Sequence, residues 1–396
     1  MNKATNKYFS QRVKNIKVSD IKLMPIIAQK YRNTISLGQG IPSLATPKYI
    51  RQGIIKLLKN NEQIGKYTLQ PGLPALKQAL AKKLSKNTKL RIDAEKEIFI
   101  TTGGMEALAA AILSIVERDD EVIVFDPSYS PHLEQILLAE GKPKFVPLIE
   151  EKNWEIDFKK LTKVFTKKTK AIIICNPANP TGKVFSKKEL AFIVNLAVKH
   201  DAFIIADETY DFLVYDGNIF ISLLNFRKIK NKLIICKSFS KEFAMTGWRV
   251  GYLYAPNYII NQALKVHDAL VICAPTISQY AALIALTKKP KKNAINIQEI
   301  LKKRREIIYQ CLDQLPDLFS YQKTSGAYYI LAKYKKTNLN SWNFANKLLR
   351  DTGVITIPGS GFGKNGEGHI RFSFGGTEKE ITKAFARIMK WNKKIK

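Results

Sequence analysis

The 396-residue sequence predicts an α/β protein, with a large domain on a mostly parallel, doubly wound sheet and a smaller α+β domain. Apolar strand-like runs alternate with helical patterns over roughly 200 residues, which is typical of parallel βαβ units. The run Ala171–Cys175 (AIIIC) has the continuous apolar character of a strand covered on both faces. The last third changes to long helices and short strands. We therefore expect an N-terminal arm with part of the small domain at 1–47, a large domain at 48–290 and a C-terminal small domain at 291–396.

Each element follows from a local pattern of apolar and capping residues. Residues 1–35 are typical of an arm followed by a short helix. Ser186 precedes an amphipathic stretch and Glu189 stands at the capping-box position, so a helix is expected to begin there. The expected helices are Tyr49–Leu58, Leu73–Leu84, Gly103–Val116, Ser186–His200, Ile295–Leu312, Ser341–Asp351 and Thr377–Trp391. The expected strands are Glu97–Thr101, Glu121–Phe125, Lys144–Leu148, Ala171–Cys175, Ala202–Ala206, Lys232–Cys236, Tyr328–Ala332 and Ile370–Phe374.

The charge balance is the unusual feature of the composition. The chain has 65 Lys and Arg against 33 Asp and Glu, a net charge of +32, and only 12 of the cations are arginines. Such a balance is compatible with a polyanionic partner. The lysines, however, are scattered through helices and loops, so we expect a Lys-rich surface and no nucleic-acid partner.

Cysteine, histidine and hydropathy patterns exclude other classes of protein. The four cysteines are far apart in apolar surroundings, which predicts buried free thiols, and the four histidines lack metal-ligand spacing. The N-terminus has no apolar signal-peptide core, and the apolar runs are too short to cross a bilayer. We therefore expect a cytoplasmic protein with no metal and no membrane partner.

The segment Ser238-Phe239-Ser240-Lys241 carries the clearest chemical signal. Lys241 follows an apolar strand, and catalytic groups of open α/β sheets lie beyond the carboxyl ends of strands. A lysine desolvated there beside another cation has a lowered pKa and can attack a carbonyl. Arg249 follows eight residues later, and together with the hydroxyls of Ser238 and Ser240 it predicts a phosphate site.

Other candidate residues also stand at the ends of strands or in turns. Gly103 and Gly104 form a turn that opens a helix, and backbone N–H groups at a helix N-terminus bind phosphate. Asp207 ends the strand FIIAD, which favours a buried carboxylate. Arg371 is one of few arginines, and its planar fork can hold a carboxylate in a bidentate pair that lysine cannot reproduce.

The string SFSK, followed by MTGWRVGY, resembles the cofactor-lysine signature of the class I and II aminotransferases, fold-type-I enzymes that use pyridoxal 5′-phosphate. Further strings resemble the family, in family order along nearly the whole chain. They are SLGQGIP at 36–42, GKY and QPG within 65–72, TTGGME at 101–106, NPANPTG at 176–182, ADETY at 206–210 and HIRFSF at 369–374. The resemblance implies a fold-type-I transferase with pyridoxal 5′-phosphate as its cofactor.

The resemblance also implies the role of each residue. Lys241 carries the cofactor, and Asp207 pairs with the nitrogen of its ring and keeps that nitrogen protonated. Tyr129 stacks on the ring, while Asn179 and Tyr210 bind its phenolic oxygen. The implied phosphate ligands are Gly103, Gly104, Ser238, Ser240 and Arg249. The implied substrate contacts are Gly40, Asn179 and Arg371. Tyr67 reaches the phosphate of the neighbouring subunit, which implies a homodimer with shared active sites.

The implied reaction is transamination in two half-reactions, with Lys241 as the catalytic lysine and Asp207 and Tyr210 assisting it. Met105 follows the glycine pair where some aspartate-using relatives place a lysine, so we expect a broad or neutral-to-aromatic preference for the amino donor and 2-oxoglutarate as acceptor. Aspartate remains an alternative because another residue could supply the charge. A carbon–sulfur β-lyase would use the same cofactor residues. A nucleic-acid-binding regulator is disfavoured because the resemblance begins by about residue 35, which leaves no room for a DNA-binding domain before it.

Overall fold

A computed structural model describes residues 8–88, 90–287 and 290–395 of the chain. The first seven residues of the predicted arm therefore lie outside the described residues. The helices are α1 (Gln11–Lys14), α2 (Asp20–Ala28), α3 (Lys48–Asn60), α4 (Pro74–Thr88), α5 (Gly104–Ile115), α6 (Ser130–Leu138), α7 (Phe158–Val164), α8 (Lys187–Lys199), α9 (Phe239–Glu242), α10 (Asn257–Val271), α11 (Thr276–Thr287), α12 (Pro290–Asp313), α13 (Ser341–Thr352) and α14 (Glu378–Ile395). The strands are β1 (Ile35–Ser36), β2 (Ile98–Thr101), β3 (Glu121–Asp126), β4 (Lys142–Ile149), β5 (Glu155–Ile156), β6 (Thr169–Cys175), β7 (Phe203–Asp207), β8 (Leu233–Ser238), β9 (Gly251–Tyr254), β10 (Phe319–Tyr321), β11 (Tyr329–Tyr334), β12 (Val354–Ile355), β13 (Ile357–Pro358) and β14 (His369–Ser373).

The large sheet has eight strands in the order β2-β9-β8-β7-β6-β3-β4-β5. The five strands from β8 to β4 run parallel, whereas β9 is antiparallel to both of its neighbours and β5 is antiparallel to β4. The predicted mostly parallel α/β sheet is thus confirmed. The sequence analysis did not predict β9. It expected each strand of a parallel sheet to be followed by a crossover helix, whereas a loop that carries Lys241 joins β8 directly to the antiparallel β9.

The central strands are buried on both faces, as the AIIIC run predicts. In β6, Ile172 and Ile174 pack in one core with α8 and α11, while Ala171 and Ile173 pack in another with α5 and α10. Successive side chains of a strand point to opposite faces, so one uninterrupted apolar run supplies both layers.

Local details also follow the sequence. The Ser186 hydroxyl accepts a hydrogen bond from the Glu189 N–H at 3.2 Å, and the Glu189 carboxylate accepts one from the Ser186 N–H at 2.8 Å. This is the expected capping box, so α8 begins where it was predicted. All four cysteines are free and buried, also as predicted. α12 begins earlier than expected, at Pro290 instead of Ile295.

A second, antiparallel sheet of four strands has the order β10-β11-β14-β13. The N-terminal segment joins this part of the fold, because β1 pairs with β12 and because Met24 and Ala28 of α2 are buried in the same apolar core as α13 and α14. The domain limits at 48 and 291 stay a prediction. Among the described residues, no helix is both long and apolar enough to cross a bilayer, and no group of three or more His, Cys, Asp or Glu side chains could hold a metal ion.

Candidate active site

A cavity of about 620 Å³ opens where β6, β7 and β8 end, against the small antiparallel sheet and α2. This is the edge of an open α/β sheet at which ligands bind. Most of the residues singled out from the sequence line the cavity, although they are spread over more than 300 positions of the chain. They are Gly40, Gly104, Tyr129, Asn179, Asp207, Tyr210, Ser238, Ser240, Lys241, Arg249 and Arg371. Gly103 lies directly behind the lining, and Tyr67 lies outside it.

Lys241 is held in the cavity by a short helix that starts as β8 ends. The Ser238 hydroxyl accepts a hydrogen bond from the Ser240 N–H at 3.1 Å, which caps α9 and turns Lys241 inward. The Lys241 Nζ donates to the carbonyl oxygen of Gly40 at 2.5 Å. Burial, followed by the charges of Arg371 and Arg249, lowers the pKa of Lys241 to about 7. A lysine with this pKa is largely a neutral amine just above neutrality and can attack a carbonyl.

We expect the cofactor-free protein to capture pyridoxal 5′-phosphate at a rate that rises with pH through about 7 and is flat above it. Only the neutral amine attacks, and an ordinary lysine of pKa about 10.4 would hold roughly one part in 2,500 of its population in that form at pH 7. Stopped-flow absorbance of the covalently bound cofactor measures this rate. A rate that keeps rising tenfold per pH unit up to pH 9 would contradict the lowered pKa.

Asp207 ends β7 and is buried, with three hydrogen-bond donors around its carboxylate. His132 Nε2 lies 3.3 Å from Oδ2, while the N–H and the hydroxyl of Thr209 donate to Oδ1 at 3.1 Å and 2.6 Å. Burial alone would raise the pKa of Asp207, but the hydrogen bond and charge of His132, with the Thr209 bonds, hold the pKa below its usual value. Asp207 therefore stays ionised and can pair with a protonated ring nitrogen.

A turn with room for a phosphate lies between β2 and α5. Gly103 has a φ of +80°, and a Cβ there would come within 2.6 Å of the Arg249 guanidinium. Arg249 itself has a φ of +50° and donates from Nη1 to the Thr246 carbonyl oxygen at 3.0 Å. The Ser238 hydroxyl donates to that of Ser240 at 2.8 Å on the other side of Gly104. Helix N-terminus, guanidinium and hydroxyls together fit the phosphate of pyridoxal 5′-phosphate, and Lys241 fits its aldehyde.

The phosphate turn is braced from behind by two buried side chains that the sequence analysis missed. Glu106 Oε2 accepts a hydrogen bond from the Thr102 N–H at 2.5 Å, and Glu106 Oε1 lies 2.6 Å from His267 Nδ1. His267 is fully buried, and its Nε2 lies 3.1 Å from the Gln70 carbonyl oxygen. A carbonyl oxygen only accepts, so Nε2 carries a proton and a second proton lies between Nδ1 and Glu106.

Replacing Glu106 with alanine should raise the dissociation constant of pyridoxal 5′-phosphate by about tenfold or more, since the Thr102 N–H and His267 lose their partner. The matched variant Glu106→Gln should stay within about threefold of the wild type. Its amide can accept from Thr102 and donate to a neutral His267, which preserves the whole chain of bonds. Fluorescence titration of the cofactor-free variants measures both dissociation constants. An equal loss of cofactor affinity in the two variants would show that the hydrogen bonds of Glu106 do not support the turn.

Arg371 lies in β14 and is 1% exposed. Its Nη1 donates to Asn179 Oδ1 at 2.9 Å, and its Nη2 donates to the Gly38 carbonyl oxygen at 2.6 Å. Its Cζ stands 4.3 Å from the ring centre of Tyr329, while Nε has no hydrogen-bond partner in the described part of the chain. The guanidinium is therefore oriented and desolvated, as a bidentate carboxylate site requires.

Two tyrosines that the sequence analysis missed complete this side of the cavity. The hydroxyls of Tyr210 and Tyr329 lie 2.9 Å apart, and the Tyr328 hydroxyl donates to the Gly40 carbonyl oxygen at 2.7 Å. A Cβ at Gly40 would collide with the Tyr329 hydroxyl, so a larger residue at that position would have to displace the Tyr329 side chain. The adjacent pair Tyr328-Tyr329 at the start of a strand was the available signal. His132, the one histidine of its helix and only three positions after Tyr129, was the corresponding signal beside Asp207.

Two aromatic residues expected to contact the cofactor occupy different surroundings. Tyr129 lines the cavity, and its ring meets the edge of His132 at 5.5 Å between centroids. Tyr67, in contrast, is 77% exposed, and Leu69 nearby is 73% exposed. Within one chain Tyr67 does not contribute to the cavity, so its predicted role depends on a second subunit.

Comparison with known proteins gives matches along nearly the whole chain. The family model for aminotransferase class I and II matches residues 32–388. The chain is 34% identical to an aspartate aminotransferase of Pyrococcus abyssi, over 96% of this chain and 97% of that protein. It is 32% identical to aromatic-amino-acid aminotransferase 2 of Thermococcus litoralis, over 96% and 97%. The solved structure of an aromatic aminotransferase from Pyrococcus horikoshii matches with a TM-score of 0.89 at 31% identity, covering 97% of this chain and 98% of that one.

Proposed function

Because this chain belongs to the class I and II aminotransferases, we propose that it moves amino groups from neutral and aromatic L-amino acids to a 2-oxo acid, with 2-oxoglutarate as the expected acceptor. The chain is an aminotransferase of fold type I, and its cofactor is pyridoxal 5′-phosphate. We propose in addition which amino donors it prefers and what each side chain of the cavity does. The juxtaposition of Lys241, Asp207 and Arg371 in one cavity is the observation that carries it.

Each side chain has one task in the proposed reaction. Arg371 binds the substrate α-carboxylate and is oriented for this by Asn179 and Gly38. When bound, the cofactor supplies an electron sink for the charge that develops at the substrate Cα. Asp207 holds the proton on the cofactor's ring nitrogen, and His132 keeps Asp207 ionised. Lys241, with its lowered pKa, would take the proton from the substrate Cα and deliver it to the C4′ carbon of the cofactor.

The substrate side of the cavity supports neutral and aromatic donors. Ile21, Pro25, Ile41, Met105 and Leu108 line it, and their apolar surfaces favour an uncharged side chain. Met105 stands after the glycine pair and is 37% exposed, so a lysine is missing at the place where some aspartate-using relatives carry one. Aspartate remains an alternative donor, because relatives of comparable similarity are named for aspartate and for aromatic amino acids.

The proposal includes a homodimer in which Tyr67 reaches the cofactor phosphate of the neighbouring subunit. The exposure of Tyr67 and Leu69 is consistent with this, since both side chains are accessible to a second subunit. A cytoplasmic location also remains a prediction from the sequence.

Steady-state rates with four amino donors against 2-oxoglutarate test the donor preference. Phenylalanine, methionine and glutamine should each exceed or match aspartate in kcat/KM. An aspartate value more than tenfold above the others would overturn the preference and leave aspartate as the donor.

A further inference from the structure

Lys22 lines the cavity but has no role in the proposed function. α2 presents Ile21, Lys22 and Pro25 to the cavity. Met24 and Ala28 of the same helix are buried in the core of the small domain, at 0% and 3% exposure. The packing of Met24 and Ala28 holds α2 in place, so the backbone of Lys22 has a defined position on the cavity wall.

The charges that line the cavity leave Lys22 without a partner. In the described part of the chain they are Lys22, Asp207, Lys241, Arg249 and Arg371. His132 and Thr209 satisfy Asp207, the substrate α-carboxylate fits Arg371, and a phosphate fits Arg249. No ion pair among the described residues involves Lys22. Its charge nevertheless reaches the site, because it helps to lower the pKa of Lys241.

We propose that Lys22 binds the distal carboxylate of dicarboxylic substrates, above all that of the 2-oxo acid acceptor. This inference rests on the proposed transamination, in which donor and acceptor occupy the same cavity in turn. An enzyme that pairs neutral donors with 2-oxoglutarate must accept an apolar side chain in one half-reaction and a carboxylate in the other. The walls supplied by Ile21, Pro25 and Met105 serve the first, and the ammonium of Lys22 serves the second.

Lysine suits this double task better than arginine or a buried cation. Its long, flexible stem is apolar and its ammonium is strongly hydrated. The Lys22 side chain is exposed, so the ammonium can turn to solvent when a neutral side chain enters and no charge is buried without a partner. When a distal carboxylate enters, the ammonium can turn inward and form a charge-assisted hydrogen bond.

The substitution Lys22→Met tests the proposal, because methionine keeps most of the length of the lysine side chain and removes its charge. The readout is the ratio of kcat/KM for 2-oxoglutarate to kcat/KM for phenylpyruvate, measured on the holoenzyme with one amino donor. Lys22→Met should lower this ratio about tenfold or more, since a hydrogen bond to a charged group is lost. Lys22→Arg keeps the positive charge, so the decrease in the logarithm of this ratio should be at most half of the decrease caused by Lys22→Met. Lys30→Met, which removes an exposed lysine just beyond α2, should leave the ratio unchanged.

A second readout separates this inference from the proposed function. Glutarate carries two carboxylates and cannot react, and its dissociation constant from the holoenzyme follows from the absorbance of the bound cofactor. Lys22→Met should weaken glutarate about tenfold and the monocarboxylate 3-phenylpropionate less than twofold. This result would support Lys22 even if the wild type preferred aspartate as donor. An unchanged ratio, or equal weakening of both acids, would overturn the role of Lys22 while leaving transamination intact.

Discussion

Replacing Lys241 with alanine is expected to lower kcat by about 10,000-fold while leaving the fold intact. In the proposed reaction, the variant loses both the amine that bonds the cofactor and the base that moves the proton from Cα. It should still bind pyridoxal 5′-phosphate, because the turn at Gly103 and the side chains of Ser238, Ser240 and Arg249 are untouched. The bound cofactor should, however, be removed by dialysis and should lose the absorbance of the covalent form.

Lys265→Ala is the matched control for this variant. Lys265 is an exposed lysine of α10 whose Nζ donates to Gln262 Oε1 at 2.8 Å, and it does not line the cavity. It should keep wild-type kcat and the covalent absorbance. Retention of more than one tenth of the wild-type kcat in Lys241→Ala would exclude Lys241 as the catalytic lysine.

Asp207→Asn is expected to lower kcat by about 100-fold or more, with little change in the amount of bound cofactor. The amide can keep the hydrogen bonds to Thr209 and His132, but it cannot supply the negative charge that keeps the ring nitrogen protonated. The charge that develops at the substrate Cα then loses its sink. Stopped-flow measurement of a single half-reaction with phenylalanine isolates this step from substrate binding.

Asp268→Asn provides the control, because it removes a carboxylate that is exposed on α10. Its half-reaction should match the wild type within about twofold. The Asp207 account is wrong if Asp207→Asn is slowed less than tenfold, or if its loss lies entirely in KM.

The sequence was sufficient to predict the residues that stand at strand ends. Asp207 ends one apolar strand of the parallel sheet and Lys241 follows the next, and such strands bring their carboxyl ends to one edge. Arg371 belongs to a separate antiparallel sheet, and its place opposite Asn179 could be inferred only from the family resemblance. No periodicity relates two positions that lie 192 residues apart in different sheets.

Apart from Tyr329 and Lys22, which line the cavity, the residues that the sequence analysis missed act through other residues. His132, Glu106 and His267 stand inside helices, and the Tyr328-Tyr329 pair stands at the start of a strand. Their local patterns do not indicate which distant residue each of them contacts. His267 and Glu106 are 161 positions apart and meet only because α10 packs on α5. Lys22 could not be predicted for a different reason. The chain has 53 lysines, and only the structure shows that this one lines the cavity.

The most direct test of transamination at this site is a single half-reaction without any acceptor. Mixing the holoenzyme with excess phenylalanine should release one equivalent of phenylpyruvate per active site and then stop, with loss of the covalent absorbance. After the excess phenylalanine has been removed, adding 2-oxoglutarate should restore that absorbance and form one equivalent of glutamate per active site. Failure to release phenylpyruvate, together with continuous release of pyruvate and ammonia from cystathionine without any oxo-acid acceptor, would contradict transamination and indicate a lyase.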